Sequence, residues 1–501
     1  MAMLTIGTAL TAAVAFAIRA LAGGQGRFRG VDTWFHLHIA DCVRAQGRRF
    51  RSADCFVPSG IYDYPPALGW VLSRLPREAA ARWQWLLSPV AEAGHTALTC
   101  ALAYYLWRDP LSAAMAGLIY AVTPVSVGIS CELTPRALGA LLLSVAVGAS
   151  VVAAQAANAY SVPLFAGSVA AVGLLLMTHR MSTQALLPIA VGVAAFTGHV
   201  AVLAAVAAAV AATVVLTRGH YITVLRGHLI ELRFWFRNVH RLDEARPLKL
   251  LADHGQAAAD ERRSLRSRAA TVYRLVRHLP FILVFVGASW GLWTAAPLSR
   301  PFVAWGAIAY VAFVATTYVR PLRFLGEGYR YLTYAALPIA VTAGGALVPL
   351  SRGWPSLYIA AGLALAISLR ELRGRYAWAQ HQAKETVNPS LMSILDFLRQ
   401  RNEDGVVCVP VGLANSVAYF AKKRTLRHGA SAALSELEFF YPLVQEPLEA
   451  VVQRFHANWL LVDVRKLPSG FDLACGELCR ECLPYRLYRV VANTANAVAA
   501  T

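Results

Sequence analysis

Lysine is almost missing from this sequence, at five positions of 501, and Asp and Glu together number only 28. Charged residues make up 15% of the chain, against about 25% in an average soluble protein. No Gly-x-x-x-x-Gly-Lys run and no dinucleotide-binding glycine fingerprint occurs, so nothing here is built to cradle a nucleotide phosphate, and ATP is not expected to be hydrolysed by this chain. There is also no internal repeat, which sets the sequence apart from carriers assembled from two related halves, and no low-complexity tract.

What fills the space is apolar. Hydrophobic residues reach 57% and the mean hydropathy is +0.48. They come in long uncharged runs that no soluble core needs. A hydrocarbon layer about 30 Å thick takes about 20 residues of helix to cross. Inside it the backbone has only itself to hydrogen-bond with, so such runs are helical. The chain is therefore expected to be a polytopic α-helical membrane protein.

Eleven spans are expected, at 3–22, 83–107, 110–130, 137–157, 161–177, 183–198, 200–217, 279–297, 302–318, 331–349 and 354–370. The run 183–217 is divided around Thr197, Gly198 and His199. One helix of about 35 residues would reach over about 50 Å, beyond any bilayer. The N-terminus reads as an uncleaved first span, because no Lys or Arg precedes its apolar stretch and Arg19 lies at the far end. These spans make a membrane domain, 1–370, with a first loop at 23–82 and a strongly basic segment at 218–278. Residues 371–501 form a tail in which Val406-Val407-Cys408-Val409 and Trp459-Leu460-Leu461-Val462 look like buried strands between helical stretches. A C-terminal soluble α/β domain is the expectation for it.

The formal net charge is +19, nearly all arginine. Spread through loops between apolar spans, that charge fits anionic lipid headgroups or a phosphate-bearing substrate, not nucleic acid. Eleven crossings put the two ends on opposite sides. With the N-terminus in the cytoplasm, 23–82, 131–136, 178–182, 218–278, 319–330 and the tail lie outside. The basic segment then departs from the positive-inside tendency, which weakens for loops of about sixty residues. Reading 183–217 as one tilted span would return that segment to the inside and invert everything after it.

On that topology one membrane face collects an unusual set of polar residues. Asp32 follows the first span in Gly30-Val31-Asp32-Thr33-Trp34-Phe35-His36-Leu37-His38. Glu132 and Arg136 lie in Cys131-Glu132-Leu133-Thr134-Pro135-Arg136. His179 and Arg180 lie in Met177-Thr178-His179-Arg180, and Glu327 and Arg330 in Gly326-Glu327-Gly328-Tyr329-Arg330. Carboxylates serve as general bases or as ligands of a hard cation, and guanidinium groups suit phosphate oxygens.

These residues resemble the GT-C superfamily of membrane glycosyltransferases. The Asp32-Thr33-Trp34-Phe35 start is similar to the Asp-aromatic entry of oligosaccharyltransferase catalytic subunits. Tyr64-Pro65-Pro66 resembles the Tyr-Pro-Pro of the first loop. The run from Gly326 to Leu332 resembles the Glu/Arg-Tyr element of bacterial and archaeal members. The resemblance implies a helical core followed by an α/β tail. It also implies transfer of a sugar from a polyprenyl-phosphate or polyprenyl-diphosphate donor, with Asp32 and Glu132 catalytic. Arg136, His179, Arg180 and Arg330 would then hold the donor phosphate. Glu132, His179 and Glu327 would either complete a Mg²⁺ or Mn²⁺ site with Asp32 or orient the arginines. The sequence has no Asp-x-Asp in its second loop and no Trp-Trp-Asp in its tail, so a peptide asparagine is not implied as acceptor.

Other signals are weaker. Glu92 and His95 share a face of the second span, as a proton relay or a structural pair. Cys475, Cys479 and Cys482 have a spacing that iron–sulfur clusters use, though one disulfide or inert thiols fit it as well, and Cys42 and Cys55 are a further candidate pair. Phe234-Trp235-Phe236 among arginines reads as an interfacial helix or as a solvated loop. The expected function is an inverting glycosyltransferase at the outer face of a prokaryotic cytoplasmic membrane, taking a lipid-linked sugar donor. The alternatives are a transporter or flippase of lipid-linked or anionic substrates, and a polymerase or ligase of surface glycans.

Overall fold

Hydrocarbon excludes water from a backbone, and the long apolar runs accordingly close their own hydrogen bonds as helices. The computed structural model describes residues 1–24, 31–47, 56–57, 60–156, 159–241, 265–350, 355–386, 388–426, 431–441, 446–466 and 476–490. The chain divides into two compact units. The first takes in Met1–Arg27, Trp83–Ile222 and Pro247–His381, and the second Phe28–Arg82, Thr223–Arg246 and Gln382–Thr501. The chain-linear boundary at 370 falls inside the helix Pro355–Thr386.

A helix lies on each of the eleven apolar runs. Among the described residues, five stretches are long and apolar enough to cross a membrane: Ala2–Gly24, Arg136–Gln155, Pro297–Tyr318, Gly328–Val348 and Pro355–His381. The run 183–217 is indeed two helices, Arg180–Thr197 and Ala201–Leu216, and Gly198 ends the first at φ 76°. Only glycine takes that left-handed position without strain. The run 110–130 is also broken, into Pro110–Ala121 and Pro124–Ile129. Pro124 has no N–H to give a helix interior, but it suits a helix start.

The helix Leu332–Gly345 is the centre of the first unit, with every residue buried. It packs on Leu87–Trp107, Pro110–Ala121 and Arg300–Tyr318. Its close approach depends on glycine: a Cβ on Gly344 would lie 2.6 Å from the backbone nitrogen of Ala116. Charge enters this core at Arg19 and Glu92. Arg19 and Glu92 are both wholly buried and lie 3.3 Å apart. The Arg19 guanidinium also donates to the Ala121 carbonyl at 3.0 Å. The Tyr120 hydroxyl lies 3.0 Å from Glu92 Oε2 and 2.6 Å from His95 Nδ1, while His95 Nε2 lies 2.8 Å from Ser144 Oγ. Four helices are tied by this network. The pair Glu92–His95 thus has a structural account that needs no proton relay.

The second unit is built on a six-stranded sheet, ordered β1-β3-β2-β4-β6-β5. Its strands are β1 (Phe56–Val57), β2 (Val406–Val409), β3 (Thr425–Leu426), β4 (Trp459–Asp463), β5 (Gly476–Cys482) and β6 (Tyr485–Val490). β1, β3, β2 and β4 are parallel to one another, β6 runs antiparallel to β4, and β5 antiparallel to β6. Successive side chains on a strand face opposite ways, and both faces of β2 and β4 are covered. Val406, Cys408, Trp459 and Leu461 meet Leu391, Ile394, Leu395 and Leu398 of the helix Pro389–Arg399. Val407, Val409, Leu460 and Val462 meet Leu448, Val451 and Val452 of Leu448–Arg454.

The first loop joins this sheet through β1, with Phe56 opposite Thr425. Asp63, between the tyrosines of Tyr62-Asp63-Tyr64, accepts from the Ser431 backbone nitrogen at 2.9 Å and from its hydroxyl at 3.1 Å. In the helix His220–Arg237, Phe234 is buried and stacks on Tyr441 at 6.5 Å, so it anchors the helix to protein and not to lipid. Ile222, Leu225, Leu229 and Phe236 remain exposed on that helix. Cys479 and Cys482 lie on β5, where Cys479 falls in the register shift opposite β6. Cys55 and Cys475 lie outside the described residues, and with them every candidate cysteine pairing except Cys479 with Cys482.

Removing one member of the buried ion pair leaves the other charge uncompensated, a change that costs about 3–5 kcal/mol. Arg19→Met is therefore expected to lower the thermal unfolding midpoint in detergent sharply, and Arg19→Met/Glu92→Met to recover most of the loss. A double variant no more stable than the single one would show that the pairing is not what holds these helices.

Candidate active site

Three turns at helix ends carry the polar residues of the first unit. In the first, Pro135 precedes a helix whose opening residue is Arg136. Its guanidinium reaches back to Glu132 at 3.6 Å. The turn is fixed from the side by Ser88, whose hydroxyl donates to the Glu132 carbonyl at 3.0 Å.

In the second, His179 is the N-cap of Arg180–Thr197 in extended geometry, and its Nδ1 accepts from the Ser182 backbone N–H at 3.3 Å. A side-chain acceptor at this position satisfies one of the N–H groups a helix start leaves open. Ser182 Oγ lies 2.8 Å from the same Nδ1 and 2.9 Å from the Tyr334 hydroxyl. Arg180, the first residue of the helix, is 8% exposed. The turn sits tightly on the neighbouring helix, where a Cβ at Gly139 would lie 2.5 Å from Ser182 Oγ and 3.0 Å from His179 Cβ.

In the third, the short helix Arg320–Leu325 ends at Gly326 with φ 111° and ψ −170°, a conformation open essentially to glycine alone. Glu327 follows and pairs with Arg330 at 2.5 Å across the short helix Gly328–Tyr331. Gln184 donates to the Leu325 carbonyl at 2.8 Å and to the Tyr331 hydroxyl at 2.5 Å, which ties the second turn to the third. The charges of Arg330 and Arg136 both act on the Tyr334 hydroxyl. Arg136, His179 and Arg330 are thus drawn around one serine–tyrosine pair, with Glu132 and Glu327 each engaged by an arginine of its own turn.

Asp32 belongs to the second unit, in the first turn of the helix Val31–Gln46. The helix dipole favours a carboxylate there. The next residues fix that start: Thr33 and Trp34 are buried, and the Trp34 ring stacks on Tyr419 at 5.3 Å and meets Phe420 at 4.6 Å. Of the carboxylates expected for Mg²⁺ or Mn²⁺, Asp32 belongs to the second unit and Glu132 and Glu327 to the first. Among the described residues no three His, Cys, Asp or Glu side chains converge on a common point.

Sequence reasoning missed Ser182, Gln184, Tyr331 and Tyr334. The first two are visible in hindsight in Met181-Ser182-Thr183-Gln184, a polar stretch that opens an apolar helix. Tyr334 has no signal, since an apolar helix hides a buried hydroxyl well. A second group also went unread: Arg277 and His278 before the helix Ile282–Ala295, and Arg375 near the end of Pro355–Thr386.

No family model matches the chain, and no curated protein matches it. Solved structures do. The oligosaccharyltransferase of Archaeoglobus fulgidus in complex with Zn and sulfate superposes with a TM-score of 0.59 at 11% identity, over 92% of this chain and 68% of that one. The same archaeal enzyme, AglB, with an inhibitory peptide and a dolichol-phosphate gives 0.58 at 11% identity, over 92% and 69%. ArnT from Cupriavidus metallidurans bound to undecaprenyl phosphate gives 0.58 at 14% identity, over 97% and 98%. These are glycosyltransferases of the GT-C fold, and the fold of this chain is theirs at a distance.

The third turn can be tested without an assay of activity. A Cβ on Gly328 would run into Thr317 Oγ1 and lie 2.9 Å from the Phe313 carbonyl oxygen. Overpacking of this kind costs roughly 1–3 kcal/mol. Gly328→Ala is expected to lower the unfolding midpoint, and Thr317→Ala in the same chain to restore part of it. An unchanged midpoint in Gly328→Ala would show that the turn carrying Glu327 and Arg330 is not held where the structure has it.

Proposed function

We propose that the protein is an inverting glycosyltransferase that moves a sugar from a polyprenyl-phosphate or polyprenyl-diphosphate donor to an acceptor hydroxyl at the outer face of a prokaryotic cytoplasmic membrane. The observation that carries this reading is the gathering of Arg136, His179 and Arg330 around Ser182 and Tyr334 at the ends of membrane helices. Guanidinium and imidazole donors gathered beside Glu132 and Glu327 suit a phosphate, whose oxygens accept from several N–H groups at once. The likeness to ArnT and AglB, solved with undecaprenyl phosphate and with a dolichol-phosphate, supports the donor class. We take the helices as eleven crossings with the N-terminus in the cytoplasm, which puts all three turns on the outer side. Residues 371–501 follow outside as an α/β domain.

The chemistry follows from the residue types. The Asp32 carboxylate takes the proton of the acceptor hydroxyl, whose oxygen forms a bond to the anomeric carbon. The bond from that carbon to the donor phosphate oxygen breaks on the opposite face, and the electron pair leaves with the lipid phosphate. Arg136, Arg180 and Arg330 stabilise the charge that develops on the leaving phosphate. Glu132 and Glu327 hold two of these arginines in place. His179 adds an N–H donor, since its Nδ1 is engaged as an acceptor. Glu132, His179 and Glu327, with Asp32, are also the groups that would hold a Mg²⁺ or Mn²⁺ ion, which would supply positive charge to the donor phosphate. The rival reading, a carrier of lipid-linked or anionic substrates, draws on the buried Arg19–Glu92–His95 set.

The test is turnover. Wild type and Asp32→Asn, purified in detergent, are incubated with radiolabelled polyprenyl-phosphate sugars, with and without Mn²⁺, and release of the free lipid phosphate is followed. Loss of a general base is expected to cost about 10²–10⁴-fold, and Arg330→Gln about 10²–10³-fold as a lost charge-stabilising donor. Full turnover in Asp32→Asn would remove the base assignment. No turnover of any donor by wild type would shift the reading to the carrier, for which Arg19 and Glu92 become the residues to follow.

A further inference from the structure

The mechanism above leaves a second basic group of the first unit unused. His278 is buried, with its backbone fixed by a hydrogen bond from the Val125 nitrogen to the His278 carbonyl at 3.0 Å. Both ring nitrogens face a guanidinium: Arg277 Nε lies 3.2 Å from Nε2, and Arg375 Nη2 lies 3.0 Å from Nδ1. A neutral imidazole has one acceptor nitrogen and one N–H, and an imidazolium has none to offer. One of the two contacts therefore sets N–H against N–H, whichever tautomer is chosen. Burial, and then the charges of Arg375 and Arg277, hold His278 well below the usual histidine range, so the ring is neutral.

Among the described residues neither Arg277 nor Arg375 forms an ion pair with a carboxylate. Glu371, whose charge acts on Arg375, already accepts from the Tyr273 hydroxyl at 2.5 Å. Arg375 lies flat against the chain at Gly128, where a Cβ would be 3.1 Å from Nη1. Both guanidinium groups keep part of their surface open. Unpaired donors this close are costly unless something accepts from them.

We propose that Arg277, His278 and Arg375 form a phosphate-binding site separate from the one at Arg136, Arg180 and Arg330. A phosphate oxyanion seated on the two guanidinium groups takes the N–H bonds that the imidazole cannot accept. The pairing of two arginine forks with one planar donor ring suits a tetrahedral oxyanion better than a carboxylate-lined pocket would. Two sources share this chemistry: the headgroup of an anionic phospholipid, and a phosphate of the substrate. The Tyr329 ring stands 6.0 Å from the His278 ring and adjoins Arg330 in the chain, so the two phosphate sites share one turn. The proposal stands on this geometry and does not need the proposed reaction to be right.

The experiment is thermal unfolding of the full chain in phosphatidylcholine nanodiscs, with inorganic phosphate against chloride at matched ionic strength. A ligand bound only by the folded state raises the midpoint with its concentration. Wild type is expected to gain several degrees, Arg136→Gln to keep most of the gain, and Arg277→Gln and Arg375→Gln each to lose most of it. Without phosphate, those last two variants are expected to unfold at or above the wild-type midpoint, because each removes a donor that has no acceptor. Both midpoints falling below wild type would mark the arginines as packing residues and overturn the proposal, as would an undiminished phosphate response in both. Replacing the lipid by phosphatidylglycerol separates the sources. A gain that appears without added phosphate and is lost in Arg375→Gln assigns the headgroup, and a gain seen only with added phosphate assigns a substrate phosphate. Asp32→Asn is expected to respond to phosphate as wild type does, so failure of the catalytic reading and failure of this one are told apart.

Discussion

Hydrocarbon offers no partner to a hydrogen-bonding group, and the first unit is arranged around that fact. Its central helix, Leu332–Gly345, is buried along its whole length, and the helices around it meet through small residues such as Gly344, Ala116 and Gly139. At Arg19 an ionisable group enters with partners around it: Glu92, three backbone carbonyls and the face of Tyr120. A set of this kind is weak as a source of stability but strong as a constraint, because no member is tolerable without the others. It fixes how the first helix meets the next ones.

The same constraint pushes chemistry to the helix ends. A turn between two crossing helices is the nearest place to the bilayer where a guanidinium keeps water or an anion in reach. Each of the three turns is shaped by a local device: Pro135 before Arg136, the His179 cap before Arg180, and the paired glycines around Glu327. Gln184 and Ser182 then link one turn to the next, so the site depends on side chains that carry no charge and that a search for ionisable residues passes over.

How much of this is legible in the sequence follows from range. Apolar runs are local, and each of the eleven runs does hold a helix; even the break at Gly198 shows, because a helix through it would be too long. The break at Thr123 is masked, since Val122 and Val125 keep the run apolar on both sides of Pro124. Strand β1 has two residues and no period to detect, and it is a strand only because β3 lies beside it. The composition of the second unit is hidden for the same reason: nothing near Asp63 announces that Ser431 will be its partner. Among the residues of the three turns, the charged ones stand out because charge is rare here, whereas Tyr334 does not, because a hydroxyl in an apolar helix leaves no mark. Arg277 and His278 were lost in a basic segment that invited a single explanation for all its arginines.

The pairing of β1 with β3 has a consequence for biosynthesis. Phe56 and Val57 leave the ribosome early, and the residues they pair with, Thr425 and Leu426, leave it late. Throughout that interval an edge-forming strand, and the buried acceptor of Asp63, wait without their partners while helix after helix is being inserted. Translation order thus makes this sheet late to close: its β1–β3 ladder can form only after Thr425 and Leu426 have been made.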